Sequence, residues 1–265
     1  MALPSKLLHP LKTYAALRDQ LGSLRGIYLA GDRIRRRDDM GNTSEVVLLL
    51  HGFLQTRNIW SVMEDRLRHD GYAVVSFQLR GLLWRFNTRP IDHTAALVAS
   101  KVEALAERHG FKRMHIIGHS KGGLIARRWI QHYDGDRRVL SLTTLGTPHH
   151  GTPTALVGLA LSGFGALPTS ARELLPRSGL ISALGRDAFP APIPLTSIFS
   201  REDLVCPARC SRLHPAPGEE ARLVNEEVRQ VGHSELAWDP GVYRLVRRRL
   251  EIASALWQER AGVVG

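Results

Sequence analysis

The chain has 265 residues, 43% of them hydrophobic, which is enough for one large domain whose core needs no disulfides or structural metal. Lysine and arginine number 36 against 25 aspartate and glutamate, a formal net charge of +11, so the surface should attract anions such as acidic lipid headgroups, fatty carboxylates or polyanions. No nucleic-acid-binding motif accompanies this charge and the basic residues do not alternate with aromatics, so the composition argues against a nucleic-acid partner.

Neither the N-terminus nor the cysteines indicate secretion. No stretch approaches the ~20 apolar residues that span a bilayer, and residues 1–10 lack an uninterrupted apolar core and a small-residue cleavage site. The two cysteines, Cys206 and Cys210, form no disulfide framework and make a poor zinc site; they could close one short loop or stay reduced. We therefore expect a cytoplasmic protein without a metal site.

An amphipathic helix is predicted at the N-terminus. Residues 7–24 have apolar positions at helical spacing, and the opposite face is biased towards basic residues. Such a helix either packs its apolar stripe on its own domain or lies peripherally in a membrane interface. The charged run 33–39 is typical of an exposed connector. Residues 1–44 are thus expected to precede the domain proper, which we place at 45–265.

From residue 45 onwards, short apolar runs alternate with amphipathic helices. The predicted strands are Val46–Leu50, Ala73–Phe77, Met114–Ile117, Val139–Leu145, Ile193–Phe199 and one within Arg222–Val231. The predicted helices are Ile59–His69, Asp92–His109, Leu124–Ile130 and Pro240–Glu259. This alternation predicts an α/β fold with a mostly parallel, doubly wound sheet. Ligands of such sheets bind at the carboxyl ends of the strands.

One insertion, at about 152–192, does not fit the alternation. It is long for a simple crossover, and its part 154–167 is apolar on nearly every side. A helix of this kind must be buried or must cover something apolar. We expect a lid or pocket wall, the alternative being an ordinary crossover helix. The insertion residues expected to contact substrate are Leu156, Leu159 and Phe164.

The most informative motif lies at residues 118–123, which read Gly-His-Ser-Lys-Gly-Gly between a predicted strand and a predicted helix. A Gly-x-Ser-x-Gly in this context is typical of a nucleophile elbow, in which a tight, strained turn raises the serine above the sheet. The turn predicts that Gly118 and Gly122 can carry little or no side chain. The following helix directs free amides and its dipole at the site. Ser120 is therefore the candidate nucleophile.

A carboxylate that orients the base should follow Ser120 and precede a histidine in the chain. Glu202 and Asp203 lie at the end of a predicted strand. We favour Asp203, because the apolar pair at 204–205 would anchor the loop and leave this carboxylate facing the site. Asp187 is less favoured because it lies in the insertion.

The candidate base is His233, which lies just past the last predicted strand and before the last helix. The alternative, His214, follows Asp203 too closely for a strand to intervene. The oxyanion should be bound by the backbone N–H groups of Phe53 and Lys121, the latter being the residue after the nucleophile. Further residues expected to contact substrate at these strand ends are His51, Gly52, His119 and His149.

Three segments resemble the α/β-hydrolase superfamily and, within it, the bacterial triacylglycerol lipases and esterases: 51–53, 118–123 and 145–152. The block 196–203 is similar to the acid-bearing strand of small Bacillus-type lipases. The resemblance implies an α/β-hydrolase fold, carboxylic-ester hydrolysis through an acyl-serine, and no obligatory cofactor. Secreted lipases of this type carry a signal peptide, which is not seen here, so an intracellular esterase or a membrane-facing lipase is the expectation.

The expected substrate is a small-molecule or lipid ester. Two alternatives remain at this stage. The same fold and residues could transfer an acyl group to another alcohol, thiol or amine, or could hydrolyse an amide. A non-enzymatic scaffold could bind lipid through residues 1–37 and the apolar insertion, but the complete serine, aspartate and histidine set favours an enzyme.

Overall fold

The computed structural model describes residues 45–81, 86–155 and 169–263. The predicted N-terminal helix and connector lie outside the described residues. So does the apolar part of the insertion, with its three expected substrate contacts Leu156, Leu159 and Phe164. Among the helices that are described, none combines the length and the apolar character needed to cross a membrane.

A six-stranded sheet forms the centre of the molecule, with the strand order β2-β1-β3-β4-β5-β6 and every neighbouring pair parallel. The strands are β1 (Val46–Leu50), β2 (Ala73–Ser76), β3 (Met114–His119), β4 (Val139–Leu145), β5 (Leu195–Ser200) and β6 (Leu223–Val228). The predicted parallel sheet is confirmed, and β3 extends two residues beyond its predicted end.

Helices connect the strands and cover both faces of the sheet. They are α1 (Ser61–His69), α2 (Ile91–His109), α3 (Lys121–His132), α4 (Thr169–Glu173), α5 (Gly179–Arg186), α6 (Ala208–Ser211) and α7 (Pro240–Val263). Short 3-10 turns occupy Arg57–Trp60, Gly135–Arg137 and Glu235–Ala237. Helix α2 ends at Gly110, whose φ of 73° is the left-handed conformation that glycine adopts without cost.

The hydrophobic core has two layers, one on each face of the sheet. Alternate residues of β1 point to opposite faces, so that Leu48 and Leu50 pack with α2 and α3, whereas Val47 and Leu49 pack with α1 and α7. All five β1 side chains are buried, as expected for a strand that is covered on both faces. The central strands are therefore a rigid support for the loops that leave them.

The carboxyl ends of the central strands meet at one edge of the sheet. The register pairs Leu50 of β1 with Gly118 of β3, His119 with Leu145 of β4, and Leu145 with Ile198 of β5. The segments that follow these strands carry the residues singled out in the sequence. The topology thus brings the candidate site residues from distant parts of the chain to one edge.

Close packing of α3 against β1 requires a glycine, and this leads to a stability prediction. A Cβ on Gly122 would lie 2.0 Å from the carbonyl oxygen of Leu50, whereas a Cβ on Gly185 in α5 would meet no atom within 4 Å. Gly122→Ala should therefore lower the free energy of unfolding by about 3 kcal/mol, and Gly185→Ala should raise it by about 0.5 kcal/mol. Urea unfolding of the two variants measures both changes. A Gly122→Ala protein as stable as the wild type would contradict this packing.

Candidate active site

Ser120 occupies the sharp turn between β3 and α3. Its φ of 53° and ψ of −124° are a strained conformation for a residue that is not glycine. The turn is fixed by hydrogen bonds: the Ser120 amide donates to the Leu145 carbonyl at 2.8 Å, and the Ser120 carbonyl accepts from the Thr147 hydroxyl at 2.9 Å. Ser120 is partly exposed, whereas the residues on either side of it are buried. The turn therefore presents the serine at the strand ends.

The glycines of this turn allow a very close approach of backbone segments. A Cβ on Gly118 would lie 2.6 Å from the Cα of Gly123, and a Cβ on Gly123 would lie 2.2 Å from the Thr147 hydroxyl oxygen. With the Gly122 contact described above, the structure confirms that the positions predicted to carry no side chain cannot accept one. Strain and close packing together indicate an elbow that holds its serine in one geometry.

A buried histidine–carboxylate hydrogen bond lies beside this turn. His233 Nδ1 and Asp203 Oδ2 are 2.7 Å apart, and both side chains are buried. The other carboxylate oxygen, Asp203 Oδ1, accepts from the amides of Val205 at 2.9 Å and Cys206 at 2.7 Å. These two amides fix the orientation of the carboxylate, so that Oδ2 is directed at the imidazole.

The reason given for favouring Asp203 was wrong in one respect. Leu204 is 66% exposed and Val205 is 47% exposed, so this apolar pair does not anchor the loop by burial. The loop is held instead by the two amide hydrogen bonds to the carboxylate and by the buried side chain of Cys206. Cys206 and Cys210 are both free thiols rather than a disulfide.

The Asp203–His233 pair and the serine turn both lie at the end of β4. The carbonyl of Leu145 accepts from Ser120, and the next residue, Gly146, has a φ of 55°. A Cβ on Gly146 would lie 3.0 Å from Asp203 Oδ2 and 3.1 Å from His233 Nδ1. The nucleophile, base and acid candidates are therefore gathered around the last residue of β4 and the glycine that follows it.

His119 positions the base candidate. It is fully buried, its Nε2 donates to the carbonyl of His233 at 2.8 Å, and its Nδ1 lies 3.0 Å from Gln55 Oε1. The two imidazole rings are 4.7 Å apart. Burial lowers the pKa of His119 well below its ordinary value. The substrate contact expected of His119 stays a prediction, and the contact that the structure shows holds the backbone of His233.

His51 and His149 are likewise buried in hydrogen-bonded positions, and their substrate contacts stay predictions. His51 Nε2 accepts from the Leu79 amide at 3.0 Å, and burial lowers the pKa of His51 to about 3. His149 Nδ1 accepts from Arg127 at 3.2 Å, and burial, reinforced by the charge of Arg127, lowers its pKa. Both imidazoles are neutral and hold the loops in which they lie, His51 after β1 and His149 after β4.

Two backbone amides remain free to bind an anion. The amide of Gly52, which was expected to contact substrate, donates to Gln55 Oε1 at 2.8 Å. Within residues 45–81, 86–155 and 169–263, neither the amide of Phe53 nor that of Lys121 donates a hydrogen bond. The Lys121 amide belongs to the first turn of α3, where N–H groups have no partner within the helix and favour an anion.

The alternative candidates lie apart from this arrangement. Glu202 Oε2 accepts from the Gln230 amide at 2.8 Å and from the Ser200 hydroxyl at 3.1 Å. Asp187 lies 3.2 Å from His132, and the ring of His214 is 4.8 Å from that of His150. None of the three contacts the Asp203–His233 pair in the described part of the chain.

Sequence reasoning missed three contributions to the site: the side chains of Gln55, Asn87 and Lys121. Gln55 Oε1 holds the Gly52 amide, Asn87 Nδ2 donates to the His51 carbonyl at 2.9 Å, and the ammonium of Lys121 contacts Asn87. The only signal for the two amide side chains was their position in loops after β1 and β2. Lys121 was considered for its backbone alone, because a charged side chain is expected at the surface.

Comparison with known proteins gives the same family. A family model for the alpha/beta hydrolase fold matches residues 45–178. A fluoroacetate dehalogenase from a Burkholderia species is 34% identical over 113 residues, which cover 40% of this chain and 35% of that protein. Lipase 3 of Moraxella strain TA144 is 27% identical over 134 residues, 50% of this chain and 42% of that lipase. The chain thus matches less than half the length of these curated relatives.

Solved structures of lipases share the fold. A Bacillus licheniformis lipase in its mature form superposes with a TM-score of 0.62 at 16% identity, covering 83% of this chain and 96% of that one. Aspergillus fumigatus lipase B gives a TM-score of 0.61 at 15% identity, covering 82% of this chain and 56% of that one. Because the family model matches about half of the chain and the parallel sheet agrees with these structures, the chain belongs to the α/β-hydrolase superfamily.

Proposed function

We propose that this α/β-hydrolase cleaves carboxylic esters through an acyl-serine intermediate on Ser120. The observation that carries the proposal is the buried 2.7 Å hydrogen bond between His233 Nδ1 and Asp203 Oδ2, next to a serine held at positive φ. A serine is a weak nucleophile unless a base removes its proton, and a histidine is an efficient base only if its tautomer is fixed. The Asp203–His233 hydrogen bond supports the second condition, and the position of Ser120 at the same strand ends supports the first.

The proposed reaction has two halves. With its Nδ1 proton bound to Asp203, His233 takes the Ser120 hydroxyl proton at Nε2 while Oγ attacks the ester carbonyl. The tetrahedral oxyanion accepts hydrogen bonds from the amides of Phe53 and Lys121. His233 then donates its Nε2 proton to the leaving alcohol. In the second half His233 takes a proton from water, whose hydroxyl attacks the acyl group, and the acid leaves as Ser120 regains its proton.

The exposed surface next to Asp203 can bind an apolar acyl group. Leu204 and Val205 follow Asp203 directly and are exposed large apolar side chains. Their loop is tied to the segment after β4, because the Val205 carbonyl accepts from the hydroxyls of Thr152, at 3.0 Å, and Thr154. Exposed apolar residues held in place at a candidate active site favour an ester with an apolar chain over a small polar one.

Hydrolysis of p-nitrophenyl esters of increasing acyl length tests this proposal. Half-burial of each added methylene is worth about 0.4 kcal/mol, so kcat/KM should rise about twofold per carbon over the shorter chains. The double variant Leu204→Ser, Val205→Ser should give a shallower dependence on chain length, because the apolar surface is lost. A wild-type protein that hydrolyses no ester in the series would contradict the proposed function. Activity that is independent of chain length would contradict only the acyl-binding role of residues 204–205.

A further inference from the structure

The ammonium group of Lys121 is fully buried and hydrogen-bonds to the loop that precedes α2. Its Nζ donates to Asn87 Oδ1 at 3.0 Å, to the Asn87 carbonyl at 3.4 Å and to the Arg89 carbonyl at 2.6 Å. A protonated lysine has three N–H donors, and these meet three oxygens, so its hydrogen-bonding capacity is filled. Complete burial of a lysine is rare and requires such partners, which these three oxygens provide.

Asn87 links this ammonium to the loop that carries the other proposed oxyanion donor. While its Oδ1 accepts from Lys121, its Nδ2 donates to the His51 carbonyl at 2.9 Å. The Lys121 Nζ also lies 5.6 Å from the centroid of the Phe53 ring, which is within the range of a cation–π contact. One residue therefore contributes one amide of the proposed oxyanion hole and, through its side chain, contacts the segment that contributes the second.

The same loop is held from a second direction by Glu173, the last residue of α4. Glu173 Oε2 accepts from the amide of Ile91 at 2.8 Å, two residues beyond the carbonyl that Lys121 binds. Burial lowers the pKa of Lys121 to about 7, and the Glu173 carboxylate opposes this effect. Burial raises the pKa of Glu173, as does the charge of Asp92. His51 is uncharged near neutral pH, since burial lowers its pKa to about 3.

We propose that the Lys121 side chain is a positioning residue whose ammonium form aligns the Phe53 and Lys121 amides on one oxyanion. The proposal rests on the proposed function. Deprotonation removes one of three N–H donors together with the charge, so one of the oxygens loses its partner and the link through Asn87 to the His51 carbonyl is weakened. The increase in kcat/KM that the Lys121 side chain provides should therefore be largest at low pH and should decline as the pH rises through the pKa of Lys121.

The test compares kcat/KM for p-nitrophenyl butyrate in the wild type and in Lys121→Met over a pH range on both sides of about 7. Ionisations that both proteins share cancel in the ratio of the two values. On the acid side we expect kcat/KM of the wild type to be about ten times that of Lys121→Met. This factor is smaller than the loss that follows deletion of an oxyanion donor. On the alkaline side the ratio of the two kcat/KM values should fall. Lys112→Met is the matched control, because Lys112 is an exposed lysine that precedes β3. Its kcat/KM should equal that of the wild type over the whole pH range. A ratio that does not change with pH would overturn the proposal.

A second variant keeps the proposal testable if Lys121→Met does not fold. Glu173→Gln keeps an acceptor for the Ile91 amide but removes the carboxylate that raises the pKa of Lys121. The alkaline decline of kcat/KM should move to lower pH than in the wild type, and an unchanged profile would count against the role of Lys121. Failure of the proposed function is distinguishable, since the wild type itself would then neither hydrolyse esters nor react with a fluorophosphonate, a reagent for activated serines.

Discussion

Replacing Ser120 by alanine should lower kcat for p-nitrophenyl ester hydrolysis by a factor on the order of 10⁴ or more, because no other group can form the acyl intermediate. The fold should survive, since alanine and serine meet the same backbone strain at a φ of 53°, and both hydrogen bonds that fix the turn involve only the backbone atoms of residue 120. Steady-state kinetics and a thermal melt measure the two quantities.

Ser182→Ala is the matched control for this experiment. Ser182 lies within α5, and its replacement removes the same hydroxyl without touching the strand ends. Its kcat should equal that of the wild type. Activity in Ser120→Ala within tenfold of the wild type would contradict the assignment of the nucleophile.

Asp203→Asn should lower kcat by about 10⁴ for a reason that the hydrogen bonds make specific. The oxygen at Oδ1 must keep accepting from the amides of Val205 and Cys206, so the new NH₂ group takes the place of Oδ2 and faces His233 Nδ1. His233 would then accept at Nδ1 and carry its proton at Nε2. In that tautomer it cannot take the proton of the serine.

Glu202→Gln is the control for Asp203→Asn, because it removes the same charge from the adjacent residue. The Glu202 carboxylate accepts from Ser200 and Gln230, and the oxygen of a glutamine can do the same. We expect kcat of Glu202→Gln to be within about twofold of the wild-type kcat, since an exposed charge contributes little to electrostatic energies. Similar losses in the two variants would mean that charge near the site, and not the tautomer of His233, accounts for the effect of Asp203.

The elbow could be predicted because its requirements are local. A tight turn between a buried strand and a helix leaves no space at Gly118 or Gly122, and the spacing of these glycines around Ser120 is visible in the sequence. The sheet could be predicted for a similar reason, since strands buried on both faces form continuous apolar runs such as Val46–Leu50.

The histidines could not be interpreted in this way, because burial depends on the whole fold. His119 follows the apolar run 114–117, but β3 continues through it, and its ring packs edge-on at 6.3 Å from Trp60. The side chain of a histidine beside a nucleophile can face the substrate or the core. Which of the two it faces depends on whether the strand continues through the histidine, as β3 does here. The result here is a core histidine that supports the backbone of His233.

The positioning role proposed for the Lys121 side chain could not be predicted from the sequence either. Its oxygen partners lie more than thirty residues earlier in the chain, in a loop whose path no local pattern specifies. Glu173 comes from the insertion, more than fifty residues later. A charged side chain is predicted at the surface unless such partners are known, and only the fold brings them together.

The central claim, an activated nucleophile at Ser120, is tested most directly by locating a covalent adduct. The folded protein is treated with a fluorophosphonate, digested, and its peptides are examined by mass spectrometry, with urea-unfolded protein as the control. The account predicts a single adduct on Ser120 that forms in the folded protein only. An adduct on another residue, or no adduct in the folded protein, would contradict it.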